Sequence, residues 1–257
     1  MMLSLSRKTV RQTWRPYAGA FVALACGVVL IAFAVTLIGA VDLTARRSGI
    51  TADQKTQLDD LAAATDYIGK KLLLYGISSG ALRAALFAER HPDRVARLAL
   101  DAFVWTGKGS PTLEERKKKL PEFRARNRRP IDRAFVHSIF NRDHPGTADN
   151  ATIEAFATAI TALDDSVPTG TYVDMCSKLP LVDPAKIVAP TIVLRGQYDG
   201  IASVEDLLEF FARLPNPDKQ FAVMAGISHA SFQQKNYLNV YHILHAFFTQ
   251  PDMVYRG

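Results

Sequence analysis

The chain has 257 residues, 48% hydrophobic and 22% charged, with 31 Lys and Arg against 25 Asp and Glu for a net charge of +6. That suffices for one ordinary globular domain and an extra segment. Its two cysteines, Cys26 and Cys176, lie far apart, which excludes a disulfide framework or a zinc-ligand spacing and leaves both as small apolar packing residues. No metal, nucleotide or base-reading motif is present, so no metal, no cofactor and no nucleic-acid partner is expected.

Arg7, Lys8, Arg11 and Arg15 precede a run over 16–41 with no charged residue, 26 positions long. A helix of ~20 such residues crosses a bilayer. The run lacks the polar stripe of a buried soluble helix and exceeds a signal-peptide core of ~7–15 residues. A transmembrane anchor is therefore expected, with a cleaved signal or a buried helix as the other readings. The basic residues before the run favour a cytoplasmic N-terminus, although Arg46 and Arg47 pull the other way. The stretch SRKTVRQTWRPYAGAFVALACGVVLIAFAVTLIGAVD, and more loosely residues 5–60, resembles the first helix of FtsX-type ABC-transporter permeases. Only the first of several permease helices would be present, so no transport follows. Residues 46–70 read as a polar helical linker, with a capping-box start at Thr51 and an amphipathic pattern over 59–68.

Residues 72–80, LLLYGISSG, read as a buried strand, a sharp turn and a helix start. G-x-S-x-G at such a junction is the nucleophile elbow, in which a strained serine stands clear of the strand end. Bulkier residues at Gly76 and Gly80 are expected to collide with neighbouring backbone. A helix follows to His91-Pro92, then a second apolar strand over 95–101, giving a βαβ unit. Asp101 at its end reads either as a second acid or, more plainly, as a cap or loop acid.

Residues 103–185 show no clear strand and read as helices near 112–127, 131–140, 151–164 and 172–178. They fit a helical cap over a site. Trp105, Phe123, Phe135, Phe140, Phe156 and Tyr172 are its candidate pocket wall or, for most of them, its core. The basic run EERKKKLPEFRARNRRPIDR reads mainly as a solvated face with Glu114, Glu115 and Glu122 as partners, and otherwise as a patch for anionic lipid or acidic substrate. His137 and His144 match no metal spacing and read as surface or cap residues.

A third strand over 189–196 runs into Asp199, and a fourth over 219–224 runs into His229. Helices are expected over 204–214 and 237–248. Ser78, Asp199 and His229 each follow an apolar strand, in the chain order of a nucleophile, an orienting acid and a general base. A serine hydroxyl is a poor nucleophile until an imidazole takes its proton, and a carboxylate fixes the imidazole tautomer.

LLLYGISSG, AERHPDRVARLALDA, VLRGQYDGIAS and MAGISHASF together resemble the α/β-hydrolase superfamily over residues 59–251. The resemblance implies a capped, esterase-like serine hydrolase with Ser78, Asp199 and His229 as the triad. It implies the Ser79 N–H as one oxyanion donor and a small-molecule acyl substrate. It also implies four strands before the elbow, one carrying the second oxyanion donor, and none is legible upstream. The expected architecture is therefore a partial α/β-hydrolase fold of about four mostly parallel strands with flanking helices. Its parts would be a tail and membrane helix over 1–45, the linker over 46–70, a core over 71–102 and 186–257, and a cap over 103–185. The single-pass chain would meet the bilayer through 16–41, and a partner is the candidate cover for the open sheet edge. A membrane-anchored serine esterase is the leading expectation. A catalytically impaired remnant acting as a binding or membrane-associated module is the alternative.

Overall fold

The structure, a computed structural model, describes residues 54–255. The expected membrane helix and its permease-like segment lie outside this range. Among the described residues no helix is long and apolar enough to cross a membrane.

The core is a four-stranded sheet in the order β1-β2-β5-β6, all parallel. Its strands are β1 (Leu72–Ile77), β2 (Val95–Asp101), β5 (Thr191–Gly196) and β6 (Lys219–Met224). The central strands β2 and β5 are covered on both faces, which is why they read as apolar runs with little alternation. The edge strand β1 is only half-buried, and Leu73 is 56% exposed. Among the described residues β1 pairs on one side alone, so its other edge is a free row of backbone donors and acceptors.

Helix α1 (Gln54–Ile68) packs on α2 (Ser79–Arg90), with Leu58 buried in the main core. The inner face of α2 carries Ala81, Ala84, Ala85 and Ala88 with Leu82, Leu86 and Phe87, all buried. Small side chains let the helix approach the sheet closely, and Phe87 fills the space that remains. Helices α8 (Val204–Arg213) and α9 (Tyr237–Thr249) complete the layers. Ser203 caps α8 by accepting from the Asp206 N–H at 3.1 Å.

The segment between β2 and β5 departs from its sequence pattern in two places. The helix expected over 112–127 is two helices, α3 (Pro111–Lys118) and α4 (Leu120–Ala125). Lys119 leaves helical geometry between them, and Pro121 is tolerated because it falls in the first turn of α4. The stretch expected to lack strands holds an antiparallel ribbon, β3 (Arg128–Pro130) with β4 (Ser166–Pro168). Three residues ending in proline on each side give no period to read. The pairing is fixed instead by Arg128, which donates to the Ser166 hydroxyl at 3.0 Å and to Asp164 at 2.9 Å. Helices α5 (Arg133–Asn141), α6 (Asn150–Leu163) and α7 (Gly170–Ser177) follow the expected pattern within a residue or two.

Asp206 ties this segment to the core. Its buried carboxylate accepts from the N–H groups of Trp105, Thr106 and Gly107 at 3.2–3.3 Å. The Trp105 indole donates to Val182 O at 3.0 Å, so Trp105 is core rather than pocket wall. Phe140 and Phe156 also pack inward, in a satellite cluster with Val136 and Ile153.

Candidate active site

In a parallel sheet the side chains that follow the strands gather at one edge. Here Ser78 follows β1, Asp101 ends β2, Asp199 follows β5 and His229 follows β6. The register sets Ile77 opposite Asp101, Asp101 opposite Leu194, and Gly196 opposite Met224, so the four groups come from the same edge of the sheet.

Ser78 has φ 54° and ψ −121°, a left-handed geometry that disfavours residues with a Cβ. Its N–H donates to Asp101 O at 2.9 Å, and its carbonyl accepts the Ala81 N–H at 3.0 Å. The two glycines of the elbow are not equivalent. A Cβ on Gly76 would lie 2.4 Å from Gly80 O, whereas one on Gly80 meets nothing nearer than Arg83 at 3.9 Å. Gly76 alone is required for the close turn, and the expected collision at Gly80 does not occur. Ser79 is the first helical residue, so its N–H has no acceptor within the helix and lies at the positive end of the helix dipole.

His229 Nε2 lies 2.8 Å from Ser78 Oγ, and His229 Nδ1 lies 3.0 Å from Asp199 Oδ1. A carboxylate only accepts, so Nδ1 carries the proton and Nε2 is left to accept from the serine hydroxyl. Asp199 is 1% exposed and also accepts from the Ile201 N–H at 3.0 Å. Burial pushes its carboxyl up, but His229, the Ile201 N–H and the charge of Arg142 outweigh burial and hold it below the usual carboxylate range. The acid loop is fastened by Arg195, which donates to the carbonyls of Gly196, Gln197 and Asp199 at 2.8–2.9 Å. The acid and base loops touch at Gly196, where a Cβ would lie 2.5 Å from Ser228 O.

Asp101 is not a cap. It is fully buried, accepting from Tyr75 Oη at 2.8 Å and from Ser231 Oγ at 3.0 Å. Burial pushes its carboxyl up to about 6 against the pull of those two hydrogen bonds. Its partners lie 26 and 130 positions away, so no local pattern in the sequence announced them. His137 pairs with Glu154 at 2.8 Å and exposed His144 stacks on Tyr198, both outside the relay. Among the described residues no group of His, Cys, Asp and Glu could hold a metal ion, and Cys176 is a buried free thiol.

A cleft of about 1040 Å³ opens beside the acid loop, with Asp199 and Gly200 in its wall. Phe123, Phe135 and Tyr172 line it, as three of the six expected wall aromatics. Arg116, Arg129 and Arg142 line it too. The basic run therefore divides. Lys117 and Lys118 pair with Glu114 and Glu115 on a solvated face, as expected, whereas Arg116 turns into the cleft.

The parallel sheet, the elbow and the groups at its carboxyl edge are those of an α/β hydrolase. The family model described as serine aminopeptidase, S33 matches residues 44–236, and the chain belongs to that family. The match reaches back to residue 44 and leaves the permease-like reading of the N-terminal segment without support. Solved structures with the same fold include a monoacylglycerol lipase from Paleococcus ferrophilus at 17% identity, covering 77% of this chain and 76% of that one with a TM-score of 0.55. A bromoperoxidase from Bacillus anthracis follows at 17% identity, covering 77% and 75%, TM-score 0.57. A thermophilic esterase from Thermogutta terrifontis shares 24% identity over 77% of this chain and 74% of its own, TM-score 0.53. No curated protein matches the chain.

Proposed function

We propose that the protein is a serine hydrolase acting on an ester or similar acyl bond, with Ser78 as nucleophile, His229 as general base and Asp199 as the orienting acid. The observation that carries this reading is the two-step relay from Ser78 Oγ to His229 at 2.8 Å and from His229 to Asp199 at 3.0 Å. As Ser78 attacks the acyl carbon, its proton passes to Nε2, and the Asp199 carboxylate stabilises the imidazolium that forms. The Ser79 N–H faces the oxyanion. His229 then returns the proton to the leaving group, and water repeats the sequence on the acyl-enzyme. The name of the family suggests an aminoacyl amide as a further substrate, with the same steps and an amine leaving group.

A fluorophosphonate probe should label the folded wild-type protein, and Ser78→Ala should abolish both labelling and turnover of a p-nitrophenyl ester. Absence of labelling in folded protein would leave the second reading, an impaired binding module. That reading draws on the free edge of β1, beside which the family places the strand that brings its second oxyanion donor. One missing donor costs about 2.7–4 kcal/mol in the transition state, and residues before Gln54 lie outside the described range. A partner strand on that edge would supply what β1 lacks. The uncharged run over 16–41 supports anchoring in a bilayer with the N-terminus in the cytoplasm. Release of the full-length protein from membranes by carbonate wash would refute that placement.

A further inference from the structure

The three arginines of the cleft make no hydrogen bond to the relay, and only Arg142 acts on it, through its charge on Asp199. Arg116 lies over one region of the Tyr172 ring at 4.5 Å, and Arg129 lies over the same ring at 4.0 Å and over Phe135 at 4.5 Å. Arg142 reaches Asp143 at 3.4 Å without a hydrogen bond. Arg129 Nε, and Nε and Nη2 of Arg142, are buried with no hydrogen-bond partner. Among the described residues no carboxylate pairs with Arg116 or Arg129. Of the acidic groups of the same wall, Asp143 faces Arg142, Glu115 pairs with Lys118 at 2.5 Å, and Asp199 holds His229. Glu122 and Glu205 are exposed.

Aromatic faces attract a cation but do not neutralise it, and buried charge is ordinarily matched by a counter-charge. Burial, and then the charges of Arg142 and Arg129, pull the Arg116 guanidinium below its ordinary value. The cleft is thus a cationic pocket with aromatic walls, open to a ligand, in which Asp143 stands beside Arg142 while Arg116 and Arg129 have no carboxylate partner among the described residues. Guanidiniums present planar forks that fit carboxylate and phosphate oxygens.

We propose that this cleft binds an anionic group, a carboxylate or a phosphate, held by Arg116, Arg129 and Arg142 with Tyr172 and Phe135 against its apolar part. The anion is either the acidic end of the acyl substrate or a separate small ligand. The first case rests on the hydrolase reading above; the second does not.

The test begins with calorimetric titration of inorganic phosphate and of glutarate at low salt into the full-length protein carrying Ser78→Ala. The readout is binding, so it is independent of turnover. Both anions should bind and raise Tm, and Arg116→Gln/Arg129→Gln should weaken binding at least tenfold. Without anion the double variant should melt close to its parent, because the two half-buried guanidiniums removed have aromatic rings but no carboxylate as partners; this separates lost binding from lost folding. Arg129→Lys, which keeps the charge and loses the fork, should recover part of the affinity. The source of the anion is read on wild-type protein from kcat/KM for p-nitrophenyl hemiglutarate against p-nitrophenyl valerate. A preference for the acidic ester of tenfold or more, lost in Arg129→Gln, identifies the substrate's own carboxylate. Equal rates with anion binding intact identify a separate ligand. The proposal is overturned if neither anion binds the parent, or if the double variant binds them equally well.

Discussion

The relay and the arginine cleft share Asp199 as a wall, yet they treat charge in opposite ways. On the relay side each reacting group has a partner at 2.8–3.0 Å within the protein. On the cleft side three guanidiniums converge with no carboxylate to match Arg116 or Arg129. A group that must move a proton works best when its surroundings are already oriented before substrate arrives. A group that must capture a ligand has to keep its bonding capacity unspent. On the reading proposed above, the difference separates a part of the molecule arranged for chemistry from a part arranged for recognition.

The largest expected effect breaks the relay itself. Asp199→Asn should lower kcat about 10⁴-fold with the fold intact, because an amide can donate to Nδ1 and so favour the wrong tautomer. Steady-state kinetics with a circular-dichroism check decides it; a loss below tenfold would remove Asp199 from the mechanism. Next in size is the elbow. Gly76→Ala should destabilise by about 3 kcal/mol, since its methyl would fall 2.4 Å from a backbone oxygen that cannot yield. Gly80→Ala should change stability by no more than about 1 kcal/mol, in the stabilising direction, through helix propensity. Urea denaturation of the pair reads this directly, and equal losses would contradict the asymmetry of the turn.

Asp101 sharpens the comparison from within the relay side, because two hydroxyls rather than a cation accompany its buried carboxyl. Its folded value of about 6 stands above the unfolded 3.8. Between those values the folded state holds the proton more tightly, so this group's stabilising contribution is complete below pH ~4 and is lost as pH rises through ~6. Asp101→Asn cannot ionise and should flatten that decline, by up to about 3 kcal/mol for a shift of roughly two units. Urea midpoints at pH 4.5 and 7.5 test it; an unchanged decline in the variant would mean that another group is responsible. Asp199 acts in the opposite sense, its contribution present above the unfolded value and lost as pH falls through its lower folded one.

Much of this was legible because it is local. LLLYGISSG, VLRGQYDG and MAGISHAS each carry the end of an apolar strand and, shortly after it, the residue that the edge of a parallel sheet presents. Asp101 was not legible, since a strand-end aspartate looks alike whether it caps a helix or receives Tyr75 and Ser231 from distant segments. Arg116 left a trace. It lies four positions after Thr112 and three after Leu113, both buried, and so on their face of α3. The surrounding run of charges hid that periodicity. The β3–β4 ribbon had none to offer.

The hydrogen bonds around the elbow close into a circuit. The Ser78 N–H reaches Asp101 O, the Asp101 carboxylate receives Ser231, the chain runs two residues back to His229, and His229 returns to the Ser78 hydroxyl. A closed mechanical loop transmits displacement in both directions. Reshaping the end of β2 would therefore shift Ser78 and His229 together, and for anyone regrafting this site the smallest transferable unit is the whole ring rather than three side chains.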